Sequence, residues 1–421
     1  MTLRTILACV LLLVTACASR VAGPQAADTN AAIEARIARL LKAHPLVDGH
    51  NDLIINYHYC GKPCPRGLDA YDISAGAEGE TDIARWRQGG VGGQLLNAGW
   101  LAKEPGLDGT LKGLAFVRSL AERYPRDLAI AGTAAEVRAI HADGRIALVL
   151  ALENPGRLGT DEATVKQLAA AGVRANILAY DEPTDLADGH AGPAKYDGLS
   201  PAGVTMVGWM ERYGVLVDLS HASVATARDV LDVARAPVIF SHSNAAALAD
   251  VPRNVPDDVL RRLPANGGMV MVGFVPYFTS IAFDQWMKDG DRHFESLMAQ
   301  NEGSREKAGA GMDAWVSANP PPTVTIADVA DHIEHIRDVA GIDHVGLGAD
   351  FDGIAFNVTG LEDVATYPRL LEALARRGWS DEDLAKLAGG NFLRVLAAAD
   401  AAAGRITQAP AAGLMEPPAL R

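Results

Sequence analysis

The sequence predicts an α/β fold of the (β/α)8 TIM barrel class, with a binuclear metal site at the C-terminal ends of the strands. Short apolar runs alternate with helix-like stretches eight times along the chain. Residues of metal-binding type stand directly after several of those runs. The glycine fingerprint of a doubly wound dinucleotide-binding sheet, the main alternative, is missing.

The first strand is Leu46–Asp48, running into His50-Asn51-Asp52. The second covers residues 93–96. The third, Ile146–Leu152, ends at Glu153. Strands follow at 176–179, at 215–219, which ends at His221, and at 238–240, which ends at His242. Residues 269–274 and 345–348 complete the eight, and the last runs into Asp350 and Asp352. Helical periodicity fills residues 110–124, 161–171, 223–234, Ile326–Ala340 and 364–377 between them.

A barrel collects its strand ends on one face, so residues far apart in sequence converge there. His, Asp and Glu suit zinc or a similar divalent ion. No cysteine joins them, which argues against a purely structural zinc site. In His50-x-Asp52 both side chains leave the same side of an extended segment and reach one ion. His221 and His242 end adjacent strands and share a second ion. Glu153 lies between the two groups in strand order, where its carboxylate bridges both. Two ions roughly 3.5–4 Å apart hold a bridging hydroxide and polarise a carbonyl. Asp350 is then placed to accept and deliver protons. His332 and His335, three apart on a helix, read as a solvated face. His44, His58, His141, His190, His293 and His344 show no partner pattern.

Composition bounds the rest. With 49% hydrophobic and 21% charged residues the chain is ordinary globular protein. Lys and Arg number 38 against 52 Asp and Glu, a net charge of −14 with no basic run, so no nucleic-acid partner is expected. Four cysteines in 421 residues do not make a disulfide scaffold. Cys60 and Cys64 are spaced for a local disulfide.

The N-terminus reads as a targeting segment. A basic start is followed by an apolar run at 6–14, too short for a membrane-spanning helix. Val14-Thr15-Ala16-Cys17 resembles a bacterial lipobox, in which the cysteine is lipidated after cleavage before it. Plain export with cleavage at a small-residue site is the second reading. The expected organisation is a signal peptide at 1–16, a flexible tether at 17–30, one barrel domain at 31–410 and a tail at 411–421. The expected location is the periplasmic side of a bacterial envelope membrane, held by a lipid at Cys17.

Several stretches resemble the membrane (renal) dipeptidases, a family of amidohydrolase-like metal-dependent barrels. They are Val47-Asp48-Gly49-His50-Asn51-Asp52-Leu53, Gly89-Gly90-Val91-Gly92-Gly93-Gln94, Gly198-Leu199-Ser200-Pro201 and Asp218-Leu219-Ser220-His221. The longest is ARAPVIFSHSNAAALADVPRNVPDD at 234–258, and Gly348-Ala349-Asp350-Phe351-Asp352-Gly353 closes the set. The resemblance covers residues 46–410. It implies two zinc ions per chain, one on His50 and Asp52, the other on His221 and His242, with Glu153 between them. It makes Arg253 the group that binds the substrate's terminal carboxylate and Asp350 the proton shuttle. Asp352 either orients the site or shapes the turn before Gly353. The implied activity is hydrolysis of short dipeptides, L-Xaa-L-Xaa and L-Xaa-D-Xaa. The rival activities are hydrolysis of N-acyl amino acids, β-lactams or lactones on the same site, and peptide binding without catalysis. A homodimer is the implied assembly.

The sequence departs from the family at two places. Where the family commonly carries a histidine after the fourth strand, this chain has Tyr180. A phenol can donate to an oxyanion but cannot act as an imidazolium. Residues 283–322 form an insertion on the active-site face, helical over 283–306 and stopped by Pro320-Pro321-Pro322. A lid, an oligomer contact and a surface elaboration are its three readings.

Overall fold

The computed structural model describes residues 29–58, 67–99, 106–153 and 161–408, with side chains through residue 404. The expected signal peptide and Cys17, the Cys60–Cys64 pair, and the 411–421 tail lie outside the described residues. Among the described residues nine parallel strands are present: β1 (Leu46–Asp48), β2 (Val91–Asn97), β3 (Leu128–Ile130), β4 (Ile146–Leu152), β5 (Val173–Ile177), β6 (Leu216–Asp218), β7 (Ile239–Phe240), β8 (Met269–Val272) and β9 (Val345–Leu347). Their order is β2-β1-β9-β8-β7-β6-β5-β4-β3, and β2 also pairs with β4. Eight strands therefore close into the expected (β/α)8 barrel.

The ninth strand, β3, was not expected. β2 occupies one edge of β4 over residues 147–151. The other edge is divided: β3 pairs with Ile146–Leu148 and β5 with Leu150–Leu152. The fourth expected strand also shifts, from 176–179 to Val173–Ile177. Arg174 conceals it in sequence. This half-buried guanidinium donates to the carbonyls of Gly132 at 2.7 Å and Val173 at 2.8 Å, so a charge sits within a strand at no cost in unpaired donors.

Helices begin where polar caps precede apolar stripes. Ser200, Ser223 and Asp161 each accept a backbone N–H three residues on, and Thr133 with Glu136 forms a reciprocal capping box. Val47, Leu95, Val149, Ala175, Leu216, Ile239 and Met271 fill the barrel with Phe392, Leu393 and Leu396 of the final helix. That helix plugs the N-terminal end, leaving the opposite end for polar chemistry. A larger apolar cluster packs the strands against the outer helices. Among the described residues no helix is long and apolar enough to cross a membrane.

The insertion is a pair of helices, Ile281–Gln300 and Arg305–Ala318, rather than one helix and a stop. Phe283 and Trp286 stack edge-on against Phe356, just beyond Gly353, and Trp286 also meets Trp315. The pair is thereby fixed to the loop that follows β9.

His332 corrects the expected solvated face. It is buried, accepts the Ala245 N–H at Nδ1 (3.1 Å) and meets the Thr279 carbonyl at Nε2 (3.1 Å). It ties the helix Ile326–Ala340 to the loop after β7 and to the short helix Pro276–Thr279 after β8. His335 is half-buried and pairs with Asp257 at 2.7 Å.

Candidate metal centre

His50, Asp52, Glu153, His221, His242 and Asp350 meet at the C-terminal end of the barrel. All are buried or nearly so. Glu153, at the end of β4, stands between two imidazole groups. Its Oε2 lies 3.5 Å from His50 Nε2, and its Oε1 lies 2.8 Å from His221 Nε2 and 3.3 Å from His242 Nε2. On the first side His50 Nε2 is also 3.6 Å from Asp52 Oδ1 and 3.8 Å from Asp350 Oδ1. On the second side the two ring nitrogens of His221 and His242 face each other at 3.0 Å.

This donor set fits a divalent cation. The buried Nε2 of His50 has no hydrogen-bond partner. Two imidazole nitrogens aimed at each other and at one carboxylate oxygen are nitrogen and oxygen donors around a common point, the chemistry of a borderline metal. Two overlapping groups qualify here, His50-Glu153-His242 and His50-Asp52-Asp350, each with donor atoms within 4.8 Å of one another.

Local structure places these side chains under constraint. His221 and Asp350 adopt left-handed backbone, with φ of 67° and 68°, as does Asp352 at 66°. Non-glycine residues there are uncommon and costly, so the surrounding structure must hold them. Asp218 does part of this: its Oδ1 accepts the backbone N–H groups of Ser220 and Ser241, both at 3.0 Å, tying together the turns that carry His221 and His242. Ser241 Oγ meets His242 Nδ1 at 2.8 Å and so orients the ring. A Cβ at Gly353 would lie 2.5 Å from Asp52 Oδ2 and 2.7 Å from Asp350 Oδ1, so the chain can pass beneath the two carboxylates only as glycine.

Burial and charge compete throughout. Burial would push the Glu153 carboxyl up, but His50, His221 and His242 outweigh it and hold the group well below its usual range. Burial would push His50 down, but Glu153 and Asp52 hold its proton well above the usual value. His242 is driven well below, by burial and then by His50. Asp350 is pushed well above the carboxylate range, chiefly by burial.

Arg253 is buried beside this group. Its Nη1 is 3.4 Å from Ser243 Oγ, its guanidinium lies over the Phe278 ring at 4.7 Å, and its Nη2 has no partner. Tyr180 stacks on His221. Asp352 belongs to neither donor group. Its Oδ1 accepts from Asn56 Nδ2 at 2.9 Å and from the Glu80 N–H at 2.7 Å, tying the turn after β9 to the segments at 56 and 80.

Three residues escaped sequence reasoning. Asn97 donates from its amide nitrogen to Asp52 at 2.8 Å and Glu153 at 2.9 Å, joining the two sides of the site. Its position at the end of β2 was the one available signal. Asp181 and His190 meet each other and His221. The hydrogen bonds from His190 and His221 overcome burial and hold the Asp181 carboxyl below its usual range. Neither has a spacing pattern, because both belong to the irregular loop after β5.

A closed (β/α)8 barrel with His, Asp and Glu donors at its C-terminal mouth defines an amidohydrolase-like metal-dependent hydrolase. The model of the membrane dipeptidase family, peptidase family M19, matches residues 34–410, and the chain belongs to that family. It is a metallodipeptidase by class. It is 34% identical over 377 residues to the dipeptidase verJ of Clonostachys rogersoniana, covering 85% of each chain. It is 35% identical over 382 residues to an uncharacterized dipeptidase of Schizosaccharomyces pombe, covering 86% of this chain and 82% of the relative. Among solved structures, the probable dipeptidase PvdM from Pseudomonas aeruginosa superposes with a TM-score of 0.75 at 23% identity, over 89% of this chain and all of that one. A metallo peptidase from Rhodobacter sphaeroides, liganded with a phosphinate mimic of the dipeptide L-Ala-D-Ala, superposes with a TM-score of 0.66 at 24% identity, over 85% of this chain and 99% of that one. These two likenesses concern the fold.

Proposed function

We propose that this protein is a two-zinc dipeptidase acting on L-Xaa-L-Xaa and L-Xaa-D-Xaa dipeptides. The observation that carries the reading is the placement of Glu153, one oxygen toward His50 and the other toward His221 and His242. His50 and Asp52 would hold one ion, His221 and His242 the other, with Glu153 shared. When bound, the ions supply Lewis-acid polarisation of the scissile carbonyl and acidify a water.

The chain's own residues do the remaining work. Arg253 binds the C-terminal carboxylate through its unpartnered nitrogen, which restricts the site to substrates ending there. Tyr180 donates its phenolic hydrogen to the oxygen that gains charge. Asp350, whose burial favours the protonated form, delivers a proton to the leaving amine. Tolerance of a D-residue at the C-terminal position is supported by the ligand of the Rhodobacter sphaeroides relative. Export and lipid anchoring at Cys17 rest on the Val14-Thr15-Ala16-Cys17 pattern.

The test is a panel of L,L and L,D dipeptides, N-acetyl amino acids and a carbapenem, assayed with the zinc-loaded protein beginning after Cys17, with and without chelator. Chelator-sensitive release of free amino acids from dipeptides is expected. Zinc bound without dipeptide turnover would reject the assignment, and turnover of the N-acyl or β-lactam compounds alone would move the substrate class to them.

A further inference from the structure

We propose that His190 is a positioning residue. It holds the Asp181 carboxylate, and Asp181 sets the tautomer and orientation of His221. The proposal rests on the zinc-site reading above.

One carboxylate oxygen serves both rings. Asp181 Oδ1 lies 2.9 Å from His221 Nδ1 and 2.9 Å from His190 Nε2. An ionised carboxylate only accepts, so both ring nitrogens donate. His221 therefore carries its hydrogen on Nδ1. Its Nε2, 2.8 Å from Glu153 Oε1, keeps the lone pair that a metal needs.

Asp181 cannot hold that position unaided. Its side chain is 48% exposed, while that of His190 is 18% exposed. His190 is fixed by backbone on both sides. Its N–H donates to the His221 carbonyl at 2.8 Å, and the Ala191 N–H donates to the Asp181 carbonyl at 2.8 Å. Gly189 bridges Ala222 in antiparallel fashion. A Cβ at Gly189 would stand 2.3 Å from the Asp181 carbonyl oxygen and 2.4 Å from that of Tyr180, so the loop is pressed against the residues it serves. A rigid imidazole thus orients a solvent-facing carboxylate, which orients a proposed ligand. The same three residues are close enough to be read as a metal-binding trio. The relay is favoured because a His221 Nδ1 that donates to Asp181 has no lone pair there for an ion.

The experiment measures Zn2+ affinity and stoichiometry by competition with a chromophoric chelator. It compares the whole chain, Asp181→Ala, His190→Ala, His190→Gln, the Asp181→Ala/His190→Ala double variant, and His242→Ala as a ligand control. Apo-protein circular dichroism and melting confirm folding, and Asp181→Asn replaces Asp181→Ala if the latter does not fold. Asp181→Ala is expected to weaken zinc binding about 10–100-fold. His190→Ala should weaken it less, and the double variant should match Asp181→Ala alone, because His190 acts only through Asp181. His190→Gln, which can still donate to Asp181, should recover part of the loss. Stoichiometry should not change in the relay variants. Unchanged affinity in His190→Ala, additive losses, or loss of a zinc equivalent in His190→Ala would each overturn the relay. Wild type without zinc, or His242→Ala binding like wild type, would reject the zinc-site reading itself and the relay with it.

Discussion

The ring of Tyr180 lies against that of His221, 4.2 Å between centroids and 22° between planes. A phenol thus leans on a proposed ligand where the family commonly has an imidazole. Burial, then the charge of Glu153, push its ionisation above the usual tyrosine value, so it stays an O–H donor across the working pH range. Tyr180→Phe should lower kcat about 10–100-fold with little change in KM, measured by steady-state kinetics on an L,L dipeptide. An unchanged kcat would remove the hydroxyl from the chemistry.

Arg253 offers a buried, unpartnered guanidinium nitrogen. Arg253→Ala should raise KM for a dipeptide about 10–100-fold, in keeping with about 1.5–3 kcal/mol for a hydrogen bond to a charged group. The matching dipeptide amide, which lacks the carboxylate, should be a poor substrate for both proteins. Equal losses on both compounds would argue against carboxylate recognition.

Removal of metal should lower the melting temperature. A ligand at about a thousand times its Kd stabilises by about 4 kcal/mol, and the buried nitrogen of His50 would lose its partner. Calorimetry with and without chelator checks this. His242→Ala, lacking one of the converging ring nitrogens, should show a smaller chelator response.

Glu80 gives a pH signature away from the proposed donors. Burial pushes its carboxyl up to about 7 from an ordinary 4.5, although it accepts from the Asp352 N–H and Asn357 Nδ2. The folded state therefore keeps a proton that the unfolded chain has released. This contribution is fully present below about pH 4.5 and is lost as pH rises to 7, by about 3 kcal/mol. Glu80→Gln does not titrate. The stability advantage of wild type over the variant, from urea unfolding, should shrink by about that amount over this window. A difference flat with pH would show that Glu80 is ionised in both states.

Gly353→Ala should reduce activity more than stability. Its Cβ would strike Asp52 and Asp350 rather than the apolar core. Melting temperature and kcat, measured together, separate the two effects.

The barrel was legible because its buried strands are apolar runs bounded by turns, and the donors because chemistry follows those runs directly, as at Glu153 after β4 and His242 after β7. Where an element broke that rule, it was misplaced or missed. Arg174 places a charge inside β5, which was expected to begin three residues later, and β3, which was missed, is three residues at the start of a shared edge. His332 looked solvated on a helix because the loop that covers it comes from residues 245 and 279, far away in sequence. Asp181 and His190 had no signal, since an irregular loop has no period from which to read which side chains turn inward.

β1 pairs with β9, and the Ala349 N–H donates to Asp48 across 301 positions of chain. A ribosome adding about 5–20 residues per second needs roughly 15–60 s to cover that distance. During this interval His50 and Asp52 exist without Asp350, and the ring has no last stave. The closed ring and the carboxyl proposed to deliver the proton are thus the last parts of the site to be made, and a product truncated before β9 would carry the five proposed zinc ligands without either.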